Sequence, residues 1–419
     1  MTRVALMSEE QKAENWRSEY PRYVGLFYFF QGFYMVGVFI YVLSMMADWN
    51  VPSPTQASVI AFLGLPLYLK MFPSLLSDRV PVGRWGRRKP YIFIGGLLYL
   101  PGFVLLIMIR QFGAAWFGAI LLILVAWMFV DSMLDALTVD ITPHERVPQI
   151  QSSAWGGRQF GYALGGLLTP ILGPRLGWTP MLVIIGIGAI IQSSAAFLLR
   201  EIPISREILL QEMPVKEVFQ GTFGRPLVWL GMFFILLYSA RGIDRLINIY
   251  LLTELGWNSS PDTMRTYGIL TAVSTLASAL GALLVGRLPS KLLTSFRFYA
   301  VFLLALWVLA TPWLLVNRFP ENIPLIYGAQ IISEFTAGVH MTLVLALTMR
   351  ICPKAIEGFT FALLTSVRSL ALNAIGPKTA TAFSAQLGLL PSIFTLIPYG
   401  LLSLAFLYPM LKLLKQTET

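Results

Sequence analysis

From Tyr23 to Leu414 the sequence returns repeatedly to apolar stretches as long as a bilayer is thick, each about 20 residues, separated by short polar connections. Hydrocarbon offers no partner to a bare amide, so such stretches must close their backbone hydrogen bonds internally, as helices. Twelve spans are expected, at 22–47, 54–76, 90–110, 113–139, 152–174, 178–199, 226–253, 263–287, 294–317, 322–350, 356–384 and 388–414. Composition agrees: 12% of the residues are charged and 56% hydrophobic, where soluble domains carry about 25% charged residues. The fold class is an all-α membrane protein. The first apolar run continues as a full span behind a polar tail instead of ending at a small-residue cleavage site, so the tail is expected to stay on the mature protein.

The same reading excludes several classes of function. Cys352 is the only cysteine, and the two histidines, His144 and His340, stand far apart without Cys or Glu at ligand spacing. No metal site and no cofactor are expected. The net charge of +10 sits in short loops between apolar spans, where cytoplasmic retention and contact with anionic lipid account for it, so nucleic acid is not an expected partner. No G-x-x-x-x-G-K-[ST] loop is present, which argues against an ATP-driven pump. No nucleophile and base stand together, so the chain does not read as an enzyme.

Lys and Arg resist translocation and mark cytoplasmic loops. Only Arg110, Arg175, Arg265 and Arg318 fall on the side opposite to the basic loops, which places both termini in the cytoplasm of an integral, multi-pass protein, with a bacterial inner membrane as the expected home. The densest basic loop is "LLSDRVPVGRWGRRKPYIFIGG" at 75–96, between the second and third spans. The longest polar stretch, "REIPISREILLQEMPVKEVFQGTFGRP", lies between spans six and seven, reads as a solvated linker and suggests a short interfacial helix near 205–219. It divides the chain into an N-terminal six-helix bundle (1–199), a cytoplasmic linker (200–225) and a C-terminal six-helix bundle (226–419). The bundles look like repeats, because Pro143 and Arg158 recur as Pro353 and Arg368, and Gly166 as Gly376, all at an offset of 210. Parallel six-span repeats commonly hold a site at the membrane midplane between them.

Twelve spans, a central cytoplasmic loop and the basic second loop resemble the major facilitator superfamily, whose loop signature reads G-x-L-x-D-R-x-G-R-R. Here the D-R of Asp78 and Arg79 and the G-R-R of Gly86, Arg87 and Arg88 are separated by six residues. That expanded form is similar to the loop of folate-biopterin transporters, although muropeptide and acetyl-CoA transporters have expanded versions too. "DSMLDALTVD" followed by "QSSAWGGRQFG", and "ICPKAIEGFTFALLTSV", favour the folate-biopterin branch. The resemblance implies two pseudo-symmetric six-helix bundles and proton-driven secondary transport of folates or pterins. The alternative is a non-transporting membrane assembly factor or chaperone of the same fold, which some relatives of the superfamily are. A monomer is expected.

Within that frame the resemblance assigns gating to Asp78, Arg79, Arg87, Arg88 and Glu357, with Asp78 accepting from the free amides that begin span eleven; topology and lipid attraction are the simpler reading of the arginines. Asp131 and Asp135, at i and i+4, share a helix face in span four. Carboxylates there are costly unless paired, so they are either proton carriers or partners of Arg158. Glu334, in span ten, is a third candidate for proton coupling. Arg158, Arg368, Arg241 and Arg245 are candidate clamps for an organic anion, because a guanidinium grips a carboxylate through two parallel bonds, as the glutamate tail of a folate would allow; internal acids could occupy the same arginines. Trp127 and Trp155 could stack on a flat ring if they face the cavity. Gly157, Gly161 and Gly165 follow a small-xxx-small spacing that lets helices approach closely.

Overall fold

The structure, a computed structural model, describes residues 9–52, 55–56, 59, 62–82, 85–201, 224–240, 251, 261–301, 313, 316, 318–319, 321–352, 356–387 and 400–418. The expected linker helix near 205–219, Arg241, Arg245 and most of the ninth expected span lie outside them. The first half carries α1 (Glu9–Asn15), α2 (Tyr20–Asp48), α3 (Leu65–Leu69), α4 (Met71–Arg79), α5 (Lys89–Met108), α6 (Ala114–Ile141), α7 (Val147–Leu176) and α8 (Trp178–Ser193). The second carries α9 (Arg225–Ala240), α10 (Pro261–Val285), α11 (Ile323–Ile351), α12 (Glu357–Leu370), α13 (Gly376–Leu387) and α14 (Leu404–Glu418). No strand occurs among the described residues. Six described helical stretches are long and apolar enough to cross a membrane, and α8, α9 and the helix over 400–412 are shorter apolar ones.

Two expected spans are not continuous α-helices. The second breaks at Lys70 into α3 and α4. Pro73 has no amide to donate to the preceding turn, and the hydroxyl of Ser132 on α6 donates to the carbonyl of Lys70 at 3.0 Å, satisfying an oxygen that hydrocarbon would leave bare. The eleventh runs through a π-helical turn, Ala371–Ile375, between α12 and α13.

Helix approach follows the small residues. A Cβ on Gly157 would collide with the Gly25 carbonyl, and one on Gly161 with that of Phe29, so α2 and α7 meet backbone to backbone. Some polar groups inside the first half pair locally: Tyr34 donates to Gln192 Oε1 at 2.8 Å and shares a hydrogen bond with Tyr99. Outward-facing positions are apolar, with Leu97, Val104, Ile187 and Leu280 exposed, as a hydrocarbon surround requires. The halves meet along two seams. In one, α10 packs against α7; in the other, α12 packs against α4 and α6. The charged clusters that join the halves lie on the second seam.

Candidate functional site

The break at Lys70 sets an ammonium at the heart of the seam. Its Nζ donates to Asp135 Oδ2 at 2.9 Å and to Asp131 Oδ2 at 3.3 Å, and Lys70 is 5% exposed. One turn apart on α6, the two carboxylates are therefore bridged by a cation from another helix. Asp131 also accepts from Arg158 Nη2 at 2.8 Å and from Gln31 Nε2 at 2.6 Å. Asp135 accepts from the Tyr28 hydroxyl. The Arg158 guanidinium donates to Gln31 Oε1 from Nε (3.1 Å) and Nη2 (2.7 Å). It lies 4.7 Å from the ring centre of Tyr28 and 5.6 Å from that of Trp155, within cation–π range.

Arg368 reaches the same cleft from α12, across the seam. It donates to Met341 Sδ at 3.1 Å and lies 5.8 Å from the Tyr238 ring. Its Nε is sealed from solvent without a hydrogen-bond partner, and no carboxylate among the described residues stands within ion-pair distance of it. The two arginines that match at the offset of 210 are thus brought together, one satisfied by an acid and the other not. The space between them is about 20 Å³, room for one water. An organic ligand needs hundreds of Å³, so the halves must part here before one is admitted.

A second cluster lies where the end of α4 meets the start of α12, the end expected from sequence to face the cytoplasm. Asp78, fully buried, accepts from the Phe359 amide at the start of α12 at 2.8 Å and pairs with Arg88. Arg87 pairs with Asp140 at 2.8 Å, Glu357 at 3.5 Å and Asp78 at 3.6 Å. Arg88 pairs with Asp140 at 2.9 Å and donates to Ser77 Oγ at 2.5 Å. Gly358 is glycine because a Cβ there would sit 2.7 Å from Arg88 Nη1. Only the Phe359, Glu357 and Gly358 contacts cross from one half to the other. Arg79 makes no ion pair among the described residues.

Glu201 anchors this loop from behind. Its carboxylate accepts from the amides of Arg87 (2.6 Å), Arg88 (2.9 Å) and Lys89 (3.0 Å), which are the free donors at the start of α5. Gly86, at φ +94°, turns the chain into that grip, and a Cβ there would strike the Glu201 carboxylate. Burial lifts the Glu201 carboxyl above its ordinary range against the pull of these donors and of Arg88. From the tail, Lys12 of α1 donates to the Val139 carbonyl at 3.2 Å, and Glu9 accepts from the His144 amide at 2.9 Å.

Of the residues singled out from sequence, Arg158, Arg368, Trp155, Asp131 and Asp135 converge on the cleft and its floor. Asp78, Arg87, Arg88 and Glu357 converge on the cytoplasmic cluster. Trp127 is 4% exposed, packed in the apolar core and not on the cleft lining. Glu334 is half-buried on α11, also away from that lining. Sequence reasoning missed Lys70, Tyr28, Gln31 and Glu201, and gave Asp140 no role. For Lys70 a signal existed, a single charge inside an otherwise apolar span, which is a functional candidate by default.

A model of the Major Facilitator Superfamily matches residues 23–377. A folate-biopterin transporter of Synechocystis sp. is 27% identical over 76% of this chain, and the aligned region spans 66% of that relative, just under two thirds of its length. An anhydromuropeptide permease of Escherichia coli is 24% identical over 76% of this chain and 65% of its own. In fold, the human organic anion transporter MFSD10 (TETRAN) superposes with a TM-score of 0.68 at 15% identity, covering 92% of this chain and 98% of that one. With its apolar helices and two-bundle architecture, the chain is a multi-pass membrane protein that belongs to the Major Facilitator Superfamily.

Proposed function

We propose that the chain is a secondary transporter for a small organic anion, coupled to protons and working by alternating access as the bundles 1–199 and 226–419 rock about the linker 200–225. The observation that carries this reading is Arg368, half-buried at the cleft, with its Nε closed off from solvent without a hydrogen-bond partner and no carboxylate partner among the described residues. A cation in that position is costly until an anion meets it. Across the seam Arg158 offers a second guanidinium, and Tyr28 and Trp155 offer aromatic faces. This set suits a ligand that joins a carboxylate to a flat ring, as folates do, and the relatives named for folate-biopterin transport support that class. Asp135 is the proposed proton carrier. The relatives are transporters, and we read this chain as one rather than an enzyme. Both termini face the cytoplasm in this reading, in a bacterial inner membrane, with the chain acting as a monomer among lipids.

Proteoliposomes test it: uptake of a panel of folates, pterins and other organic anions is measured with and without a pH gradient. The expected result is gradient-dependent accumulation of at least one anion, lost in Arg368→Gln. Failure of every anion in the panel, or full uptake by Arg368→Gln at matched protein level, would overturn the reading.

A further inference from the structure

Lys70 has no counterpart in the gating signature and none in the anion clamp, yet it occupies the central position of the buried charge cluster. Its ammonium lies 2.9 Å from Asp135 and 3.3 Å from Asp131, nearly equidistant, at a break in its own helix where the backbone is held by Ser132. Asp131 is already held by Arg158 at 2.8 Å and by Gln31 at 2.6 Å. One carboxylate thus has two cations, and one cation has two carboxylates. We infer that Lys70 is a hand-over cation: when Asp135 takes up a proton, the ammonium passes wholly to Asp131 and releases the Arg158 guanidinium to the cleft, where it clamps the substrate anion with Arg368.

The argument rests on charge balance. With both acids ionised, Asp131 and Asp135 face Lys70, Arg158 and Arg368, so Arg158 is needed at Asp131 and only Arg368 is unmatched. The groups that face Asp135 are Tyr28 of α2, Lys70 at the α3–α4 break, Arg158 of α7, Arg368 of α12 and, on its own helix, Asp131. A proton arriving from water neutralises Asp135, and Tyr28 keeps a hydrogen bond to it. Lys70, which holds Asp131 through Oδ2 while Arg158 holds Oδ1, then has one acid within reach. As it closes on that carboxylate, Arg158 becomes the cation that needs a new anion, which the cleft supplies when substrate binds beside Arg368. An ammonium re-aims on a flexible stem, whereas a planar guanidinium is the better fork for a ligand carboxylate, so the exchange puts each cation where its geometry serves. Proton and anion would bind cooperatively because the first supplies the binding group for the second.

The inference rests on the reading of the cleft as an anion site, but its test needs no anion. Trp155 lies beside Arg158, so the fluorescence of the protein minus that of Trp155→Phe isolates one reporter of the guanidinium's position. Acidification should change this difference signal in the wild type. Asp135→Asn should show the acid-form signal at every pH. The double variant Lys70→Met/Asp135→Asn, which removes the charge pair together and so strands no ion, should show the neutral-form signal at every pH, because Arg158 is again the only cation left for Asp131. An acid-form signal in the double variant, or no pH response in the wild type, would overturn the hand-over. Should the response hold while no organic anion in the panel is transported, the transport reading fails and the hand-over stands, so the two failures are told apart.

Discussion

Asp78→Ala tests whether the contact from the Asp78 cluster to α12 gates, as proposed, or the cluster merely holds one half together. Asp78 lies in α4, and its partners Arg88 and Arg87 belong to the same half, so those pairs persist when the halves rock. Its bond to the Phe359 amide, at 2.8 Å, crosses to α12, and in the proposed rocking it would exist only while this side is closed. A hydrogen bond to a buried charge is worth about 1.5–3 kcal/mol. At about 1.4 kcal/mol per factor of ten, its loss shifts the closed-to-open ratio about 10- to 100-fold. Asp78→Asn keeps the acceptor oxygen and loses the charge, so its shift is smaller. The only cysteine supplies the assay. Half-buried Cys352 caps the C-terminal end of α11, and burial, with Glu357 adding to it, pushes its thiol above the ordinary range, so opening of this end should raise its reactivity. Maleimide labelling from the cytoplasmic side should run about 10- to 100-fold faster in Asp78→Ala than in wild type, with Asp78→Asn between them. Thermal stability, measured alongside, should fall in Asp78→Ala because the ion pairs within the half are lost in both states. A wild-type labelling rate in a preparation whose stability has dropped would refute the assignment of gating to the cross-half bond.

Three further outcomes are expected. Arg368→Lys, which keeps the charge but not the fork, should weaken anion affinity by about tenfold or more in a binding assay, and unchanged affinity would contradict the clamp. Gly358→Ala sets a Cβ 2.7 Å from Arg88 Nη1 and 2.9 Å from the Ala136 side chain, so it should destabilise the closed cytoplasmic state by about 1–3 kcal/mol and speed Cys352 labelling. For Glu201 the sign follows from its raised carboxyl: the folded protein holds that proton more tightly than the unfolded chain, whose ordinary value is 4.5, so the contribution is full below that value and is lost as pH rises through the folded value. The melting temperature of wild type minus that of Glu201→Gln should therefore decline with rising pH across that window, and a flat difference would count against it.

The apolar helices seen among the described residues were legible from local composition, and the bridge from Asp78 to the start of span eleven, which the family resemblance implied, fits the pull of a helix end on an acid. Hydropathy marks a span without tertiary knowledge, and a helix N-terminus attracts an acid wherever it lies. Residues paired across distance were harder to read. Lys70 meets its acids 61 and 65 positions away, and Glu201 reaches a loop more than a hundred positions earlier from the edge of the linker. The aromatic residues show a different limit. Trp127 and Trp155 were equal candidates, yet the first packs in the core and the second stands beside Arg158. In a helix as nearly apolar all round as α2, no polar face tells which side looks inward, so rotation about the axis is set by packing. That is why Tyr28 went unnoticed among its aromatic neighbours while Arg158, polar in its own right, did not.

In the proposed reading, placement of Arg368 on α12 ties substrate to gate through one element. The helix begins at Glu357, where Phe359 receives Asp78, and carries Arg368 nine positions further on, about 13 Å along the axis. A displacement at Arg368 would therefore be felt at the first turn of α12 without any intermediary. Directly after Arg368 the α-geometry gives way to the π turn at Ala371–Ile375, a local irregularity of the kind that lets one part of a helix tilt relative to the next. An anion held by Arg158 on α7 and Arg368 on α12 would draw the two halves together at the centre. The Phe359 and Glu357 contacts hold them together at the cytoplasmic side. Both sets act on the same fourteen-residue helix, so an anion that pulls α12 inward at Arg368 changes the angle at which its first turn presents amides to Asp78. Transport by rocking needs that dependence, since a gate that opened without regard to the site would leak. It also explains why α12 is paired so closely with α4 and α6 rather than with its own bundle alone.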